Sequence, residues 1–348
     1  MVYFVGVPIE HHAIHSGYHR LQEFIDSSQN VGPDGFPGIV RTLTSNRLFG
    51  GLIWRVAGVH NYSPESFRTE VAMIRLALRQ PGQIFHFIYG DYMYRFAGTF
   101  KRWLDADARL ICSFHQPPGY FSGILRPRRH LRELDAAIIV GSNQHEMLSP
   151  YMDDDRIFFV PHGVDTEFFC PRQAEKPIGS GLTCLTVGNW LRDFDTLRRV
   201  IRKVNADHTV VRFIVVTFPD NFRLLQGYPG VDCRSGVDDL TLRDLYQSAD
   251  VLLLPLTDCT ANNSLLEGIA CGLPVVATDV GGVPDYVDES CAILTPLKDA
   301  EAMASALMTL SAQPNKRRQM GLCSRERALQ LDWTEVASQV MHVYRRVR

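Results

Sequence analysis

The stretch "TANNSLLEGIACGLPVVATDVGG", Thr260–Gly282, decides the fold class of the second half of the chain. A polar turn leads into a short helical segment that ends at Gly272, and an apolar strand follows it. The apolar run "VLLLPL", Val251–Leu256, precedes the turn. This strand–helix–strand order is typical of a parallel sheet with helices on both faces. The Asn and Ser residues at the start of the helix are favoured N-caps, and free amides of a first helical turn attract anions.

The same alternation continues along the whole chain. Strand-like segments are "VYFVGV", "IFHFIY", "RLICSFH", "AAIIVGS" and "RIFFVPHG" in the first half, and "LTCLTVG", "VRFIVVT", "VLLLPL", "LPVVATD" and "CAILTP" in the second. Helical periodicity separates them, as in "SFRTEVAMIRLALRQ" and "TLRDLYQSA". Pro, Gly and charged residues interrupt the pattern at "CPRQAEKPIGSGL", Cys170–Leu182. We therefore predict two doubly wound α/β domains, at 1–169 and 182–331, joined by a linker at 170–181.

Composition restricts the class of protein. The 348 residues are 45% hydrophobic and 21% charged, with a net charge of −2, which argues against a dedicated nucleic-acid binder. The longest apolar runs are far shorter than the roughly 20 residues of a membrane-spanning helix, and the first residues show no signal-peptide pattern. The eight cysteines form no C-x-x-C pair, which predicts small buried hydrophobic residues in a reducing, cytoplasmic setting.

Several segments resemble those of the retaining glycosyltransferases of family 4. They are "ACGLPVVATDVGG" at Ala270–Gly282, "VPHGVDTEFFCP" at Val160–Pro171, "LTVGNWLRDFDTL" at Leu185–Leu197, "LRDLYQSADVLLLPL" at Leu242–Leu256 and "LDWTEVASQVMHVY" at Leu331–Tyr344. The first half resembles the family mainly in layout. The resemblance implies the GT-B fold, with two Rossmann-like domains whose parallel sheets face each other across a cleft. It also implies a C-terminal helix at about 333–348 that packs back on the first domain.

The resemblance also implies a set of site residues. In the family, a Glu that corresponds to Glu267 holds the ribose of the donor, and amides of the preceding turn receive the donor diphosphate. The donor-binding residues implied here are Gly188, Arg192, Asp258, Cys259, Ala261, Asn262, Asn263, Ser264, Leu265 and Glu267. His115 follows the strand "RLICSFH", where family members often carry a His that is hydrogen-bonded to the donor sugar. His115 and Arg192 are therefore the expected catalytic residues, although His115 in a purely structural role, bonded to loop carbonyls, is the alternative.

This sequence departs from the family pattern at two positions. Cys259 occupies the place of a first Glu that touches the transferred sugar, and a thiol is a poor acceptor for such hydrogen bonds. Asp258 could substitute if the turn shifts by one residue. Asn189 replaces the Arg that usually follows the Gly of the Val-Gly-Arg segment, which leaves Arg192 as the expected partner of the diphosphate. The alternative is that Arg192 is an ordinary surface cation.

The loop "IEHHAIHSGYHRLQEF" after the first strand is expected to serve the acceptor. Gly17 lies where the family has a Gly-rich loop, and His15 and Tyr18 flank it. His11, His12, His15 and His19 are dense enough to suggest a metal, but a polar loop at the acceptor site is the better interpretation, and we expect no metal. The acidic clusters Asp105–Asp107 and Asp153–Asp155 follow no apolar strand, so they predict solvated charge rather than a metal site.

A basic run, "RPRRHLR" at Arg126–Arg132, stands out on this acidic chain, together with "NRLFGGLIWRVAG" at Asn46–Gly58. Many relatives use lipid-linked acceptors at a membrane surface, so one hypothesis is peripheral contact with the inner face of the membrane. A basic flank for an anionic acceptor and plain solvated charge are the alternatives.

The resemblance thus implies a retaining glycosyltransferase, and we expect it to be metal-independent and without a bound cofactor. It would move a sugar from a nucleotide-diphosphate sugar, with uridine guessed as the base, to a hydroxyl of a glycan, lipid-linked or small-molecule acceptor. Nucleic acid is not an expected partner. Two alternatives remain: a sugar-nucleotide epimerase on the same fold, and a catalytically weak nucleotide-binding scaffold subunit.

Overall fold

The computed structural model describes residues 1–6, 14–26, 28–33, 55, 57, 62–124, 129–172, 181–207 and 210–348. The chain divides into two compact units. Unit 1 comprises Met1–His12, Tyr18–His162 and Val336–Arg348, and unit 2 comprises Ala13–Gly17 and Gly163–Glu335. Some sequence features lie outside the described residues: His11 and His12, the first three residues of the basic run, nearly all of Asn46–Gly58, and 173–180 of the predicted linker.

Unit 1 contains a sheet of six parallel strands. They are β1 Val2–Val5, β2 Ser28–Val31, β3 Gln83–Phe87, β4 Ala108–Phe114, β5 Ala136–Ile139 and β6 Ile157–Phe159, in the order β2-β1-β3-β4-β5-β6. The helices of this unit are α1 Pro64–Arg79, α2 Gly90–Met93, α3 Ala97–Trp103, α4 Pro118–Ile124 and α5 His145–Leu148. Short 3-10 turns cover Tyr18–Phe24, Arg129–Glu133, Ser142–Gln144 and Asp154–Arg156. The central strands are buried on both faces, which explains their almost continuous apolar sequences.

Unit 2 contains a second sheet of six parallel strands. They are β7 Leu182–Val187, β8 Val211–Val216, β9 Val231–Arg234, β10 Val251–Leu254, β11 Val275–Thr278 and β12 Ala292–Thr295, in the order β12-β11-β10-β7-β8-β9. The helices are α6 Phe194–Ala206, α7 Pro219–Phe222, α8 Asp239–Ser248, α9 Asn263–Ala270, α10 Val283–Tyr286, α11 Ala300–Ala312 and α12 Pro314–Leu329. A final helix, α13 Trp333–Val347, begins in unit 2 and runs for most of its length in unit 1.

The sheet of unit 2 is covered on both faces. In β10, Leu252 and Leu254 belong to one apolar cluster, whereas Val251 and Leu253 belong to a second cluster on the opposite face. The strand order reverses between β7 and β10, because β8 and β9 extend the sheet on one side and β11 and β12 on the other. In open α/β sheets, ligands bind beyond the carboxyl ends of the strands at such a switch point.

The prediction of a doubly wound α/β architecture is confirmed, and all ten strand segments read from the sequence form strands. Two further strands, β2 and β9, were not predicted. Each is the last strand at one end of its sheet, as far as the described residues show. Both strands are short and have the polar sequences "SQNV" and "VDCR". Within the described residues, no helix combines the length and apolar composition that a membrane-spanning segment needs.

A chain of buried polar side chains joins α13 to the sheet of unit 1. The rings and hydroxyls lie in the order Tyr344, His86, Ser113, Tyr18: the Tyr344 hydroxyl is 2.7 Å from His86 Nδ1, and His86 Nε2 is 2.7 Å from Ser113 Oγ. Ser113 in turn donates to the Tyr18 hydroxyl at 3.1 Å. Since the Ser113 proton is used there, His86 donates through Nε2 and accepts from Tyr344 through Nδ1. Burial lowers the pKa of His86 to about 3, so the ring is neutral at physiological pH.

We predict that Tyr344→Phe destabilises unit 1 while leaving its packing intact, because the variant leaves His86 Nδ1 as a buried acceptor without its donor. The expected loss is about 1–3 kcal/mol of unfolding free energy, measured by urea denaturation at pH 7. Tyr120→Phe, at a tyrosine that is 48% exposed, is the control and should change little. Equal stability of the two variants would contradict this account.

Candidate functional site

The carboxyl ends of β7 and β10 meet at the switch point of unit 2. The segment after β7 turns back along the end of β10, where Arg192 forms an isolated antiparallel bridge with Leu256. The Asp193 N–H donates to the Pro255 carbonyl at 2.9 Å, and the Thr257 N–H donates to the Leu191 carbonyl at 3.0 Å. These bonds hold the two loops together directly in front of the first turn of α9.

The Arg192 side chain joins the loop after β7 to the start of α9. Its Nε donates to the Val187 carbonyl at 2.8 Å, and its Nη2 donates to Ser264 Oγ at 2.9 Å and to Asn262 Oδ1 at 3.2 Å. Burial lowers the pKa of Arg192, and the Glu267 carboxylate is one of the groups that oppose this effect. Arg192 is therefore more than a surface cation, because its guanidinium is built into the loop.

Gly188 makes room for this guanidinium. Its φ of +110° lies in the region that L side chains rarely adopt, and an added Cβ would stand 2.6 Å from Arg192 Nη2. The neighbouring Asn189 points elsewhere, since its Oδ1 accepts from the Thr217 hydroxyl at 2.7 Å and from the Phe218 N–H. Asn189 thus holds the loop after β7 to the loop after β8.

The first turn of α9 is capped as its sequence predicts. Asn262 Oδ1 accepts from the Leu265 N–H at 3.2 Å, and the Ser264 hydroxyl donates to the Val187 carbonyl at 3.0 Å. Among the described residues, the main-chain N–H groups of Asn263 and Ser264 donate to no main-chain carbonyl, because they lie in the first turn of α9. Because the positive end of the helix dipole also lies there, this turn can receive an anion.

The predicted turn residues differ in how accessible they are. Asn263 is exposed and Ala261 is partly exposed, whereas the side chains of Asn262 and Ser264 are buried. The Leu265 side chain is fully buried in the apolar core and its N–H is used by the cap, so Leu265 offers no free polar group.

Glu267 is a buried carboxylate one turn further along α9, 5% exposed. Its Oε2 accepts from the Tyr246 hydroxyl at 2.8 Å, and its Oε1 accepts from the Ser16 hydroxyl at 2.5 Å. Burial raises the pKa of Glu267 to about 7, and the hydrogen bonds from Ser16 and Tyr246 limit the rise. Glu267 therefore changes charge near neutral pH in this structure.

The short segment around Ser16 belongs to unit 2. His15 stacks on the Phe168 ring, with centroids 3.5 Å apart and planes 4° apart, and His15 Nδ1 is 2.8 Å from Asp165 Oδ2. Gly17, with a φ of +104°, turns the chain after Ser16. The sequence singled out Gly17 and His15 but missed Ser16, because a single hydroxyl in a loop has no distinguishing pattern.

Cys259 and the paired glycines form a tightly packed corner. The Cys259 thiol is 3% exposed and donates to the Thr260 carbonyl at 3.0 Å, and burial raises its pKa to about 12. The Gly282 N–H donates to the Cys259 carbonyl at 3.0 Å. A Cβ on Gly281 would overlap the Cys259 carbonyl oxygen, and one on Gly282 would stand 2.8 Å from the Thr260 carbonyl oxygen. The two glycines thus allow main chain to pack directly on main chain. Asp258 is half-buried, and its Oδ1 accepts from the Cys259 N–H at 2.8 Å.

His115 lies at the end of β4 in unit 1. Its Nε2 is 2.8 Å from the Ile88 carbonyl, which can only accept, so Nε2 carries the proton. Its main-chain N–H donates to the buried Asp91 carboxylate at 2.8 Å, and Tyr18 contacts the ring edge-to-face at 4.6 Å. The loop-carbonyl bond weighed from the sequence is therefore present. Among the described residues, no three His, Cys, Asp or Glu side chains are grouped so that they could hold a metal ion.

Comparison with known proteins adds a family to this geometry. The sequence model of the family described as glycosyl transferases group 1 matches residues 181–313, which include Arg192, Asn262 and Glu267 but not Ser16. Alpha-maltose-1-phosphate synthase of Mycolicibacterium smegmatis is 27% identical over 253 residues, which are 63% of this chain and 65% of that protein. D-inositol 3-phosphate glycosyltransferase of Saccharomonospora viridis is 33% identical over 121 residues, 32% of this chain and 28% of that protein.

Over residues 181–313, the chain is similar to the group 1 glycosyl transferases.

Solved structures with the GT-B fold are similar to this chain. A glycosyltransferase from Rickettsia africae superposes with a TM-score of 0.71 at 12% identity, over 99% of this chain and 98% of that one. Anabaena HepE in complex with UDP superposes with a TM-score of 0.69 at 11% identity, over 99% of each chain. The chain spans less than two thirds of the length of the first two curated relatives that it matches.

We predict that Gly281→Ala strongly destabilises unit 2, because the new Cβ would force apart two main-chain segments. Gly227→Ala is a matched control: Gly227 also has a positive φ, +83°, but an added Cβ would meet nothing within 4 Å. The control isolates the backbone strain, about 1–2 kcal/mol. Thermal unfolding should show a clearly larger loss for Gly281→Ala, and equal losses would contradict the packing argument.

Proposed function

We propose that this protein is a metal-independent retaining glycosyltransferase that moves a sugar from a nucleotide-diphosphate sugar to a hydroxyl of an acceptor. The observation that carries the proposal is the arrangement at the switch point of unit 2. Arg192, two main-chain N–H groups of the first turn of α9 and the Glu267 carboxylate lie within one short stretch of structure. In a nucleotide diphosphate, the negatively charged diphosphate is followed by a ribose with free hydroxyls. The positive groups of the site match the diphosphate, and the carboxylate next to them matches the ribose hydroxyls.

The diphosphate would bind at the first turn of α9. The N–H groups of Asn263 and Ser264 point to the start of the helix, and the Arg192 guanidinium lies beside Ser264. Hydrogen bonds to charged groups contribute about 1.5–3 kcal/mol each, and the helix dipole contributes about 0.3–1 kcal/mol. During transfer, negative charge develops on the leaving diphosphate, and donors fixed in advance stabilise such charge best. The bonds of Arg192 to the main chain supply this fixation.

The ribose would be held by Glu267. A carboxylate accepts hydrogen bonds from sugar hydroxyls, and the Ser16 hydroxyl already makes a bond of that chemical type with Oε1. The sugar itself would find no carboxylate at position 259, because this residue is a cysteine, and its buried thiol donates to the Thr260 carbonyl. Asp258 and His115 remain the proposed contacts of the transferred sugar.

The acceptor belongs to the proposal at the level of class: a hydroxyl of a glycan, a lipid-linked sugar or a small molecule. One relative, 26% identical over 264 residues, is named phosphatidyl-myo-inositol mannosyltransferase of Mycolicibacterium smegmatis. This name supports a lipid-linked acceptor and the peripheral membrane contact inferred from the basic run. Of that run, Arg129–Arg132 lie in a described 3-10 turn that includes the buried His130 and Leu131. A UDP-sugar is the proposed donor, a choice that the UDP-bound neighbour supports.

We predict that Glu267→Ala lowers nucleotide affinity at least tenfold without unfolding the chain. The reason is that the ribose hydroxyls lose an ionic hydrogen-bond acceptor. Isothermal titration with UDP, GDP and ADP at pH 8 measures the effect, and thermal shift checks the fold. Glu326→Ala, at an exposed carboxylate of α12, is the control. Undiminished affinity of a folded Glu267→Ala variant would remove the basis of the proposal.

We also predict that sugar transfer from the donor continues in the presence of excess EDTA and preserves the anomeric configuration of the donor sugar. The charge on the leaving diphosphate is then met by Arg192 and the helix amides rather than by a cation. Product analysis by proton NMR gives the configuration, and Arg192→Ala should reduce the rate at least a hundredfold, the order seen when one fixed donor to a developing anion is lost. Loss of turnover with EDTA, or an inverted product, would contradict the respective part of the proposal. Altered sugar nucleotide formed without any acceptor would indicate an epimerase.

A further inference from the structure

The two oxygens of the Glu267 carboxylate are occupied from different parts of unit 2. Tyr246, in α8, donates to Oε2 at 2.8 Å. Ser16, in the short segment at 14–17, donates to Oε1 at 2.5 Å. The two donors are chemically similar hydroxyls, but they differ in how firmly the structure holds them.

The Tyr246 donor is fixed. Its side chain is fully buried in the apolar cluster of unit 2, and its ring packs edge-to-face on Phe169 with centroids 6.0 Å apart. The hydroxyl cannot turn away from Glu267 without leaving a buried carboxylate oxygen short of a donor, which costs more than an ordinary hydrogen bond. The Tyr246 bond therefore sets the direction in which the carboxylate points.

The Ser16 donor lies on a turn that is bound to unit 2 by side chains. His15 stacks on Phe168 and pairs with Asp165, and Ser16 itself is only partly buried. This segment contains no strand and no α-helix in its described part, 14–17. A hydroxyl that donates to a carboxylate from such a turn is equivalent in chemistry to a hydroxyl of a sugar.

We infer that Tyr246 is a positioning residue that fixes Oε2 of Glu267. We also infer that the Ser16 hydroxyl occupies the position at Oε1 that a hydroxyl of the nucleotide takes on binding. This inference rests on the proposed function of Glu267 and extends it. Nucleotide binding then exchanges one hydroxyl for another at the same oxygen, and the segment at 14–17 loses its bond to α9 when the ligand enters. Removal of each donor should have the opposite effect on affinity.

The charged and titratable groups around Glu267 define a pH test. Tyr246 and Asp239 face it from α8, Arg192 from the loop after β7, and Cys271 from the end of α9. The pKa of Glu267, about 7, is raised by burial and by Asp239, and it is lowered by Ser16, Tyr246 and Arg192. The ionised carboxylate is the stronger acceptor of hydroxyl hydrogen bonds on both oxygens, so nucleotide affinity should fall on acidification through this range. Without the Tyr246 donor the pKa is higher, and the fall in affinity begins at a higher pH.

The experiment titrates UDP, GDP and ADP into the full chain between pH 5.5 and 8.5. The variants are Ser16→Ala, Tyr246→Phe and Glu267→Ala, with Ser305→Ala, on the exposed face of α11, and Tyr228→Phe as controls. At pH 8.5, where the Glu267 carboxylate is ionised with or without the Ser16 donor, Ser16→Ala should bind about tenfold more tightly, because the ligand no longer competes with an internal hydroxyl. Tyr246→Phe should bind about tenfold more weakly at pH 7, with the midpoint of the pH profile moved up by about one unit.

Each of the remaining outcomes contradicts one part of the inference. Unchanged or weaker binding by Ser16→Ala at pH 8.5 overturns the exchange at Oε1. A wild-type affinity and pH profile in Tyr246→Phe overturns the positioning role. If Tyr246→Phe does not fold, 3-fluorotyrosine is placed at position 246 instead. Its hydroxyl is a stronger donor, so the midpoint of the pH profile of nucleotide binding should move to lower pH. An unchanged midpoint then overturns the positioning role of Tyr246. Glu267→Ala separates the two levels, since undiminished affinity there, or no nucleotide binding by the wild type, refutes the proposed function itself.

Discussion

The guanidinium of Arg192 is the interaction on which the site depends. It binds the Val187 carbonyl at the end of β7 and the side chains of Asn262 and Ser264 at the start of α9. Parallel strands bring these two loops to the same edge of the sheet, but they do not fix the loops in relation to each other. The planar guanidinium does so, because its donors diverge in a fixed geometry. Gly188 leaves space for it, and the amides of the helix end remain available in front of it.

The fold follows from the sequence to a large degree, because buried parallel strands have continuous apolar sequences. β7, β8, β10 and β11 are all of this kind, and their helices carry recognisable caps such as Asp193 and Asp299. The strands β2 and β9 escaped prediction for the opposite reason. Each ends its described sheet and is only partly buried, so its sequence does not need to be apolar.

The site could be predicted in part. Arg192, Asn262, Ser264 and Glu267 were named from the resemblance to the glycosyltransferase family, and the structure brings these four together. Their internal partners could not be read from the sequence. Ser16 and Tyr246 are 251 and 21 positions from Glu267, and a single hydroxyl at such a distance gives no periodic or compositional signal. The role of Arg192 as a brace between loops was likewise visible only from its hydrogen bonds.

The corner formed by Gly281 and Gly282 has a consequence for engineering sugar choice. The loop at 259–260 is held there by main-chain contacts, and the Cys259 thiol is buried beside Asn262 and Arg192. An acidic residue at 259 would therefore be buried next to the Arg192 guanidinium and would pair with it instead of presenting a carboxylate to a ligand. Redesign of donor preference therefore has to begin with the glycine corner, whose rebuilding would re-aim the loop, and only then exchange the residue that the loop carries.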